Sequence, residues 1–214
     1  MNFNFIKREE NFKSKLIREN FEKNSFRRSV SDMLPDYSRE ILLKAQKDGR
    51  ISNQEKFWPM LQNIFIRTSA GELRKIHGID EGIENLFLKQ WRLSTSLEDF
   101  TGRCVCARYT RAHIRRRLIY ILLNLNRFEA LGALRGTPYV RVLAFNETGR
   151  EILKNFSKES EIKFMTRFKD AGTKNEKFFA ELELKASRLY ELSLEHPDML
   201  REFNKVLQFP ENYF

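Results

Sequence analysis

Residues 108–125 read Arg108-Tyr109-Thr110-Arg111-Ala112-His113-Ile114-Arg115-Arg116-Arg117-Leu118-Ile119-Tyr120-Ile121-Leu122-Leu123-Asn124-Leu125. Ile114, Leu118, Ile121, Leu122 and Leu125 recur at i, i+4, i+7, i+8 and i+11, which draws one apolar stripe along an α-helix. Thr110 stands where an N-cap belongs, so the pattern predicts a helix from Thr110 to Leu125. Stepping about 100° per residue from Ile114 puts Arg111, Arg115 and Arg108 about 60°, 100° and 120° round the axis. If the helix reaches back to Arg108, these three form one stripe bordering the core. Arg117 lies on the other border and Arg116 points outward. No Asp or Glu occurs between Arg103 and Arg127. Guanidinium forks suit phosphate oxygens, and Tyr109 beside them could stack on an unpaired base. The same residues also suit a solvated helix face whose arginines pair with acids elsewhere in the fold.

Outward from this stretch the chain reads as further helices. Pro35 to Lys47 is predicted helical and stops at Asp48-Gly49. Ser52 or Asn53 caps the next helix, which carries Phe57, Met60, Leu61, Ile64 and Phe65 on one face, with Pro59 tolerated in its first turns. Ser69 to Ile76, Asp80 to Trp91 and Ser96 to Gly102 follow as short helices. In the N-terminal stretch, Phe5, Phe12, Leu16 and Ile17 suggest a helix from Ile6 to Phe21. After Gly136-Thr137-Pro138 the period changes. Tyr139 to Phe145 is β-branched and partly alternating, and Ile162 to Phe168 is a second candidate strand. With the helix expected between them, up to Phe156, the two suit a small parallel pair. Helices from Asn175 to Glu195 and from Pro197 to Leu207 finish the chain. The expected fold is mainly α (α+β), a multi-helix domain with a small two-stranded β element. Residues 1–34 are set apart as an N-terminal remnant or helical extension, and 35–214 as the main domain.

The balance of 39 Lys and Arg against 29 Asp and Glu gives a formal charge of +10, which points to a polyanionic partner. The first residues lack a long apolar run of the secretory kind. The longest apolar run, Leu118 to Leu123, is far too short to cross a bilayer. Cys104 and Cys106 sit badly for a disulfide and fall short of a zinc ligand set, so free thiols and a cytoplasmic setting are expected, with no metal site. Asp80, Glu81 and Glu84 read first as acids placed at a helix N-terminus and second as a metal or general-base cluster.

Four blocks together carry a resemblance to the bacterial tRNA cytidine acetate ligases, in their C-terminal part. They are Gly78-Ile79-Asp80-Glu81-Gly82-Ile83-Glu84-Asn85, the arginine stretch from Arg108 to Leu123, Pro138-Tyr139-Val140-Arg141-Val142-Leu143-Ala144-Phe145-Asn146 with Gly149-Arg150, and Glu181-Leu182-Glu183-Leu184-Lys185-Ala186-Ser187 with Tyr190. They stand in the family's order at similar spacing. The resemblance implies an enzyme that uses ATP to activate acetate as acetyl-adenylate and then acetylates the wobble cytidine of elongator methionine tRNA. It further implies a nucleotidyltransferase-like N-terminal half, with a His-x-Gly-His motif at the ATP phosphates, and a helical C-terminal half that helps to hold tRNA.

The three histidines here, His77, His113 and His196, form no such motif. The expectation is therefore a tRNA-binding part, inactive alone, whose nucleotidyltransferase half is missing or belongs to a separate chain. Arg108, Tyr109, Arg111, Arg115 and Arg141 are the candidate RNA-binding residues. Asn24-Ser25-Phe26-Arg27-Arg28-Ser29 resembles the family's Thr-Ser-Ile-Arg segment, which makes Ser25, Arg27 and Arg28 candidates for a remnant of an ATP site; a basic linker with a helix cap reads equally from the same residues. A rival from another class is a non-catalytic basic adaptor that docks an acidic protein or a separate nucleotidyltransferase subunit.

Overall fold

A computed structural model describes residues 34–136, 139–159 and 162–205. The chain divides between Ile51 and Ser52 into two compact units. In the first, helix α1 (Asp36–Lys47) has Asp36 in its first turn and Lys44 and Lys47 in its last, the charge order that suits a helix dipole. It ends where Gly49 turns left-handed at φ 64°, as the Asp48-Gly49 signal predicts. Ser25, Arg27 and Arg28, and the predicted Ile6–Phe21 helix, lie outside the described residues.

The second unit is built on helices α2 (Phe57–Arg67), α3 (Ala70–Leu73), α4 (Ile83–Gln90), α5 (Leu97–Cys104), α6 (Arg111–Leu122) and α7 (Arg127–Ala133). Trp58, Leu61 and Phe65 of α2, Ile83 and Phe87 of α4, and Ile114, Leu118 and Ile121 of α6 turn inward to one core. Phe100 of α5 is fully buried at its centre, with ring centroids 5.3 Å from Trp58, 5.6 Å from Phe65 and 5.4 Å from Phe87. The rings are tilted on one another, an arrangement their quadrupoles favour over a flat sandwich.

Thr110 is the cap of α6, its hydroxyl accepting the His113 N–H at 3.3 Å. The helix closes at Leu122, three residues short of the expected end, because Asn124 takes a left-handed φ of 48° and turns the chain. Leu125 still reaches the core from beyond that turn. Helix α7 is absent from the sequence reading. Its cap is legible, since Asn126 Oδ1 accepts the N–H groups of Phe128 and Glu129 at 2.8 and 3.3 Å. Its pattern is not, because Phe128, Leu131 and Leu134 are exposed.

Strands β1 (Val140–Arg141) and β2 (Phe164–Met165) pair in parallel, Val140 opposite Phe164 and Arg141 opposite Met165. Helix α8 (Glu147–Glu159) crosses between them. The parallel pair matches expectation, but each strand is shorter than predicted. A two-stranded ladder has nothing beyond its edges to extend it, and Phe168 opens a 3-10 turn. Helix α9 (Lys174–Leu192) follows a capping box of Thr173 and Glu176. The helix predicted from Pro197 to Leu207 is corrected over its described part: residues 199–204 form turns, and 206–207 lie outside the described residues. Asp198 takes its own local bonds there, accepting the Leu200 N–H at 3.0 Å and giving its N–H to Glu191 at 2.8 Å, in competition with helical pairing.

Candidate nucleic-acid interface

The arginine face grows from the junction of α5 and α6. The chain between them is a tight turn, in which Cys106 and Tyr109 exchange backbone hydrogen bonds at 3.1 Å each way. Thr110 is extended, at ψ 160°, so α6 begins only at Arg111. Arg108 therefore stands on the turn and not on the helix, and the expected stripe of three is corrected to a pair, Arg111 and Arg115, one turn apart on α6.

That pair converges on a single carboxylate. Arg111 Nη1 donates to Glu98 Oε1, and Arg115 Nη2 donates to Glu98 Oε2 at 2.9 Å. All three side chains are about half exposed. Arg108 bonds the Glu81 carboxylate and reaches the Glu81 carbonyl at 3.4 Å. Arg103 bonds Asp99 at 2.8 Å, one turn back on α5. Arg117 gives its Nε–H to the Gly78 carbonyl at 3.1 Å. Arg116 is exposed on α6. The acids absent from the local sequence are thus supplied from α5 and the loop before α4. Four of these six arginines share three carboxylates and Arg117 bonds a carbonyl, so the face stays positive.

Two of the candidate residues are placed differently from what contact with RNA requires. Tyr109 is buried, at 8% exposure, and its hydroxyl donates to the Glu81 carbonyl at 3.1 Å. Its ring packs 5.2 Å from His113 and under the Arg108 guanidinium, so it offers no open face to a base. Burial pushes the Tyr109 hydroxyl above its ordinary range. Arg141 is also drawn inside. Its Nη1 lies 2.6 Å from both Glu183 and Glu202, its guanidinium stacks 4.0 Å over Phe168, and its side chain is 7% exposed. The Tyr139 hydroxyl donates to Glu183 at 2.9 Å on the same node.

His113 is held below its ordinary range by burial first and by Arg117 and Arg116 second, so it adds no charge to the face near neutral pH. Burial pushes the Cys104 thiol up to about 12, which removes it as a nucleophile; Cys106 is exposed. In the acidic cluster, Glu84 is buried against Arg74 Nε at 2.9 Å. Burial alone would raise its carboxyl, but its own N–H and Arg74 outweigh burial and hold it below the usual range. Glu81 is drawn to Arg108, and Asp80 to Arg127 at 3.4 Å. Among the described residues no group of three or more His, Cys, Asp or Glu side chains is gathered to hold a metal, and no helix is long and apolar enough to cross a membrane. Glu98 is the neighbour of the arginine face that sequence reasoning missed. Its only signal is its place in the first turn of α5, common to many helix acids.

Residues 4–203 match the HIGH Nucleotidyl Transferase family. The chain is 30% identical to the tRNA(Met) cytidine acetate ligase of Clostridium perfringens over 160 residues, covering 74% of this chain and 38% of that protein. It is 27% identical to the enzyme of the same name from Lysinibacillus sphaericus over 91% of this chain and 47% of that one. The crystal structure of Thermotoga maritima TmcAL bound with alpha-thio ATP superposes with a TM-score of 0.79 at 26% identity, over 96% of this chain and 54% of that chain. The apo form superposes at 0.77. The chain therefore spans about two fifths to half of the length of these relatives.

Proposed function

Since this chain belongs to the HIGH Nucleotidyl Transferase family, we propose that it serves as the tRNA-holding, C-terminal part of a cytoplasmic tRNA(Met) cytidine acetate ligase. Arg111 and Arg115 are its principal phosphate contacts and Arg108 a flanking one. The chain carries no His-x-Gly-His, so acetate activation with ATP would fall to another chain or to sequence outside these residues, and acetylation by this chain alone is expected to be negligible. Ser25, Arg27 and Arg28 are proposed as the remnant of the ATP-phosphate segment. Tyr109 and Arg141 act in this reading as supports, the first under the α6 turn and the second between β1 and α9.

The observation that carries the proposal is the exposed pair Arg111 and Arg115, aimed at one acceptor on a face with more arginines than acids. Two guanidiniums converging on two oxygens make the geometry that binds a phosphodiester. Their contribution should show as counterion release, with affinity falling as salt rises. The test is binding of methionine tRNA across a salt series by wild type and by an Arg108/Arg111/Arg115 triple alanine. The triple variant should bind at least about tenfold more weakly and lose about two to three units of the log–log salt slope. Equal affinity and slope in the two proteins would remove the assignment.

A further inference from the structure

Arg111 and Arg115 have their fork already filled by Glu98. Each guanidinium takes one oxygen of the same carboxylate. That is the arrangement in which the pair would hold two non-bridging oxygens of a phosphate.

Glu98 is not needed where it stands for the helix that carries it. It occupies the first turn of α5, where an acid can serve the exposed N–H groups. Those N–H groups are served by others. Glu55 accepts from the Leu97 N–H at 2.8 Å and the Glu98 N–H at 3.1 Å, and Ser96 Oγ accepts from the Asp99 N–H at 3.0 Å. Arg111 and Arg115 are the partners of the Glu98 carboxylate among the described residues. Its side chain is 58% exposed, so it can swing into water without opening the core. Exposed ion pairs of this kind are weak individually and screened by salt, whereas an RNA backbone brings a whole polyanion to the same pair.

We propose that the Arg111–Arg115 fork is a single-phosphate seat and that Glu98 is its resident placeholder, displaced when a phosphodiester binds. The inference rests on the tRNA-holding reading of this face. Glu98 holds the two long side chains in a converged pose in the free protein, which lowers the ordering cost of binding. It also competes with every anion for the seat, and weak or isolated phosphates lose that competition.

The test uses the full chain as wild type, Glu98→Gln and Glu195→Gln. Glu195 is exposed beyond α9, and its variant controls for the loss of one negative charge in general. Inorganic phosphate is titrated against the arginine side-chain N–H signals in NMR spectra, and tRNA binding is measured at low salt. With Glu98→Gln, the Arg111 and Arg115 signals should respond at about threefold to tenfold lower phosphate than in the other two proteins, and tRNA should bind tighter by a similar factor. Identical phosphate titrations for all three proteins would overturn the placeholder, whatever tRNA does. A wild type that binds no tRNA while Glu98→Gln still gains phosphate would overturn the tRNA-holding reading and leave the anion seat standing.

Discussion

Arg111 and Arg115 share one carboxylate at the surface, while Arg141, itself buried, holds two partly exposed carboxylates. The chemistry of the contacts is the same, and the exposure of the arginine differs. The surface pair keeps an excess of positive charge and its partners keep their water. At the inner node Lys205 lies 3.8 Å from Glu202 and balances the second carboxylate, while the Arg141 guanidinium is packed over Phe168 with its Nε buried without a partner among the described residues. An arginine in contact with water can exchange its partner. A desolvated one is fixed by the cost of leaving the carboxylates alone. Exposure, more than the count of ion pairs, therefore separates the arginines that can bind a ligand from those that hold the fold.

The sharpest way to break that distinction is to remove both kinds and compare stability. Arg141→Ala should destabilise by about 2–4 kcal/mol, because the packing over Phe168 is lost and β1 loses its tie to α9, while Glu183 and Glu202 keep part of their water. Arg111→Ala should change stability by less than about 1 kcal/mol, as exposed pairs do. Urea unfolding of the two variants decides it; equal losses would mean that the surface fork is structural too.

Arg74 tests the intermediate case. Its side chain is 57% exposed, but its partner Glu84 is 3% exposed and has a second oxygen without a partner among the described residues. Arg74→Ala should cost about 1–3 kcal/mol, the buried-pair penalty reduced by solvent around the arginine. Glu84→Gln should cost less than Arg74→Ala, since it removes the buried charge along with the pair. The reverse order in thermal or urea unfolding would show that burial of one partner does not set the cost.

The sequence made much of the core readable and little of this distinction. Ile114, Leu118 and Ile121 announce α6 by spacing alone, and Thr110 marks its start. The parallel pair followed from two β-rich stretches around a helix. The partners of the arginines could not be read, because Glu81 and Glu98 lie 27 and 17 residues from Arg108 and Arg115 and become neighbours only when α4, α5 and α6 pack. For the same reason Arg141 and Tyr109 look like surface ligands in the sequence. An alternating strand does not say which of its faces a later helix will cover, and a tyrosine before a helix cap does not say which carbonyl will take its hydroxyl. The missing helix α7 and the absent helix after Pro197 fail on a related ground: one exposes its apolar side chains, and in the other a single Asp198 diverts the backbone.

Glu176 sharpens the comparison through pH. The Gly172 N–H at 2.7 Å, Lys163 at 2.9 Å and the Thr173 N–H hold its carboxyl down to about 2, against an ordinary value near 4.5. The unfolded chain takes up this proton first, so the stabilisation is complete above about pH 4.5 and is lost as pH falls towards about 2. Melting temperature measured across that window should fall more steeply for wild type than for Glu176→Gln. Parallel curves would show that the anchored carboxylate contributes nothing specific.

The smallest expected effect belongs to Glu98, and it is the one most diagnostic of a replaceable contact. Glu98→Gln removes two ion pairs, yet the first turn of α5 keeps Glu55 and Ser96 on its N–H groups. Stability should change by less than about 0.5–1 kcal/mol. Glu202→Gln also removes two pairs, the one to Arg141 and a looser one to Lys205 at 3.8 Å, from a side chain 23% exposed. It should cost about 1–2 kcal/mol, because Arg141 stays buried beside one carboxylate in place of two. Removing two contacts between exposed side chains would then cost less than removing two around a buried arginine. That ordering, measured by urea unfolding at low and at 0.5 M salt (where only the surface pairs are strongly screened), is what a ligand seat with an exchangeable occupant requires. A Glu98→Gln loss equal to that of Glu202→Gln at both salts would mean that the fork is part of the framework and not free to exchange.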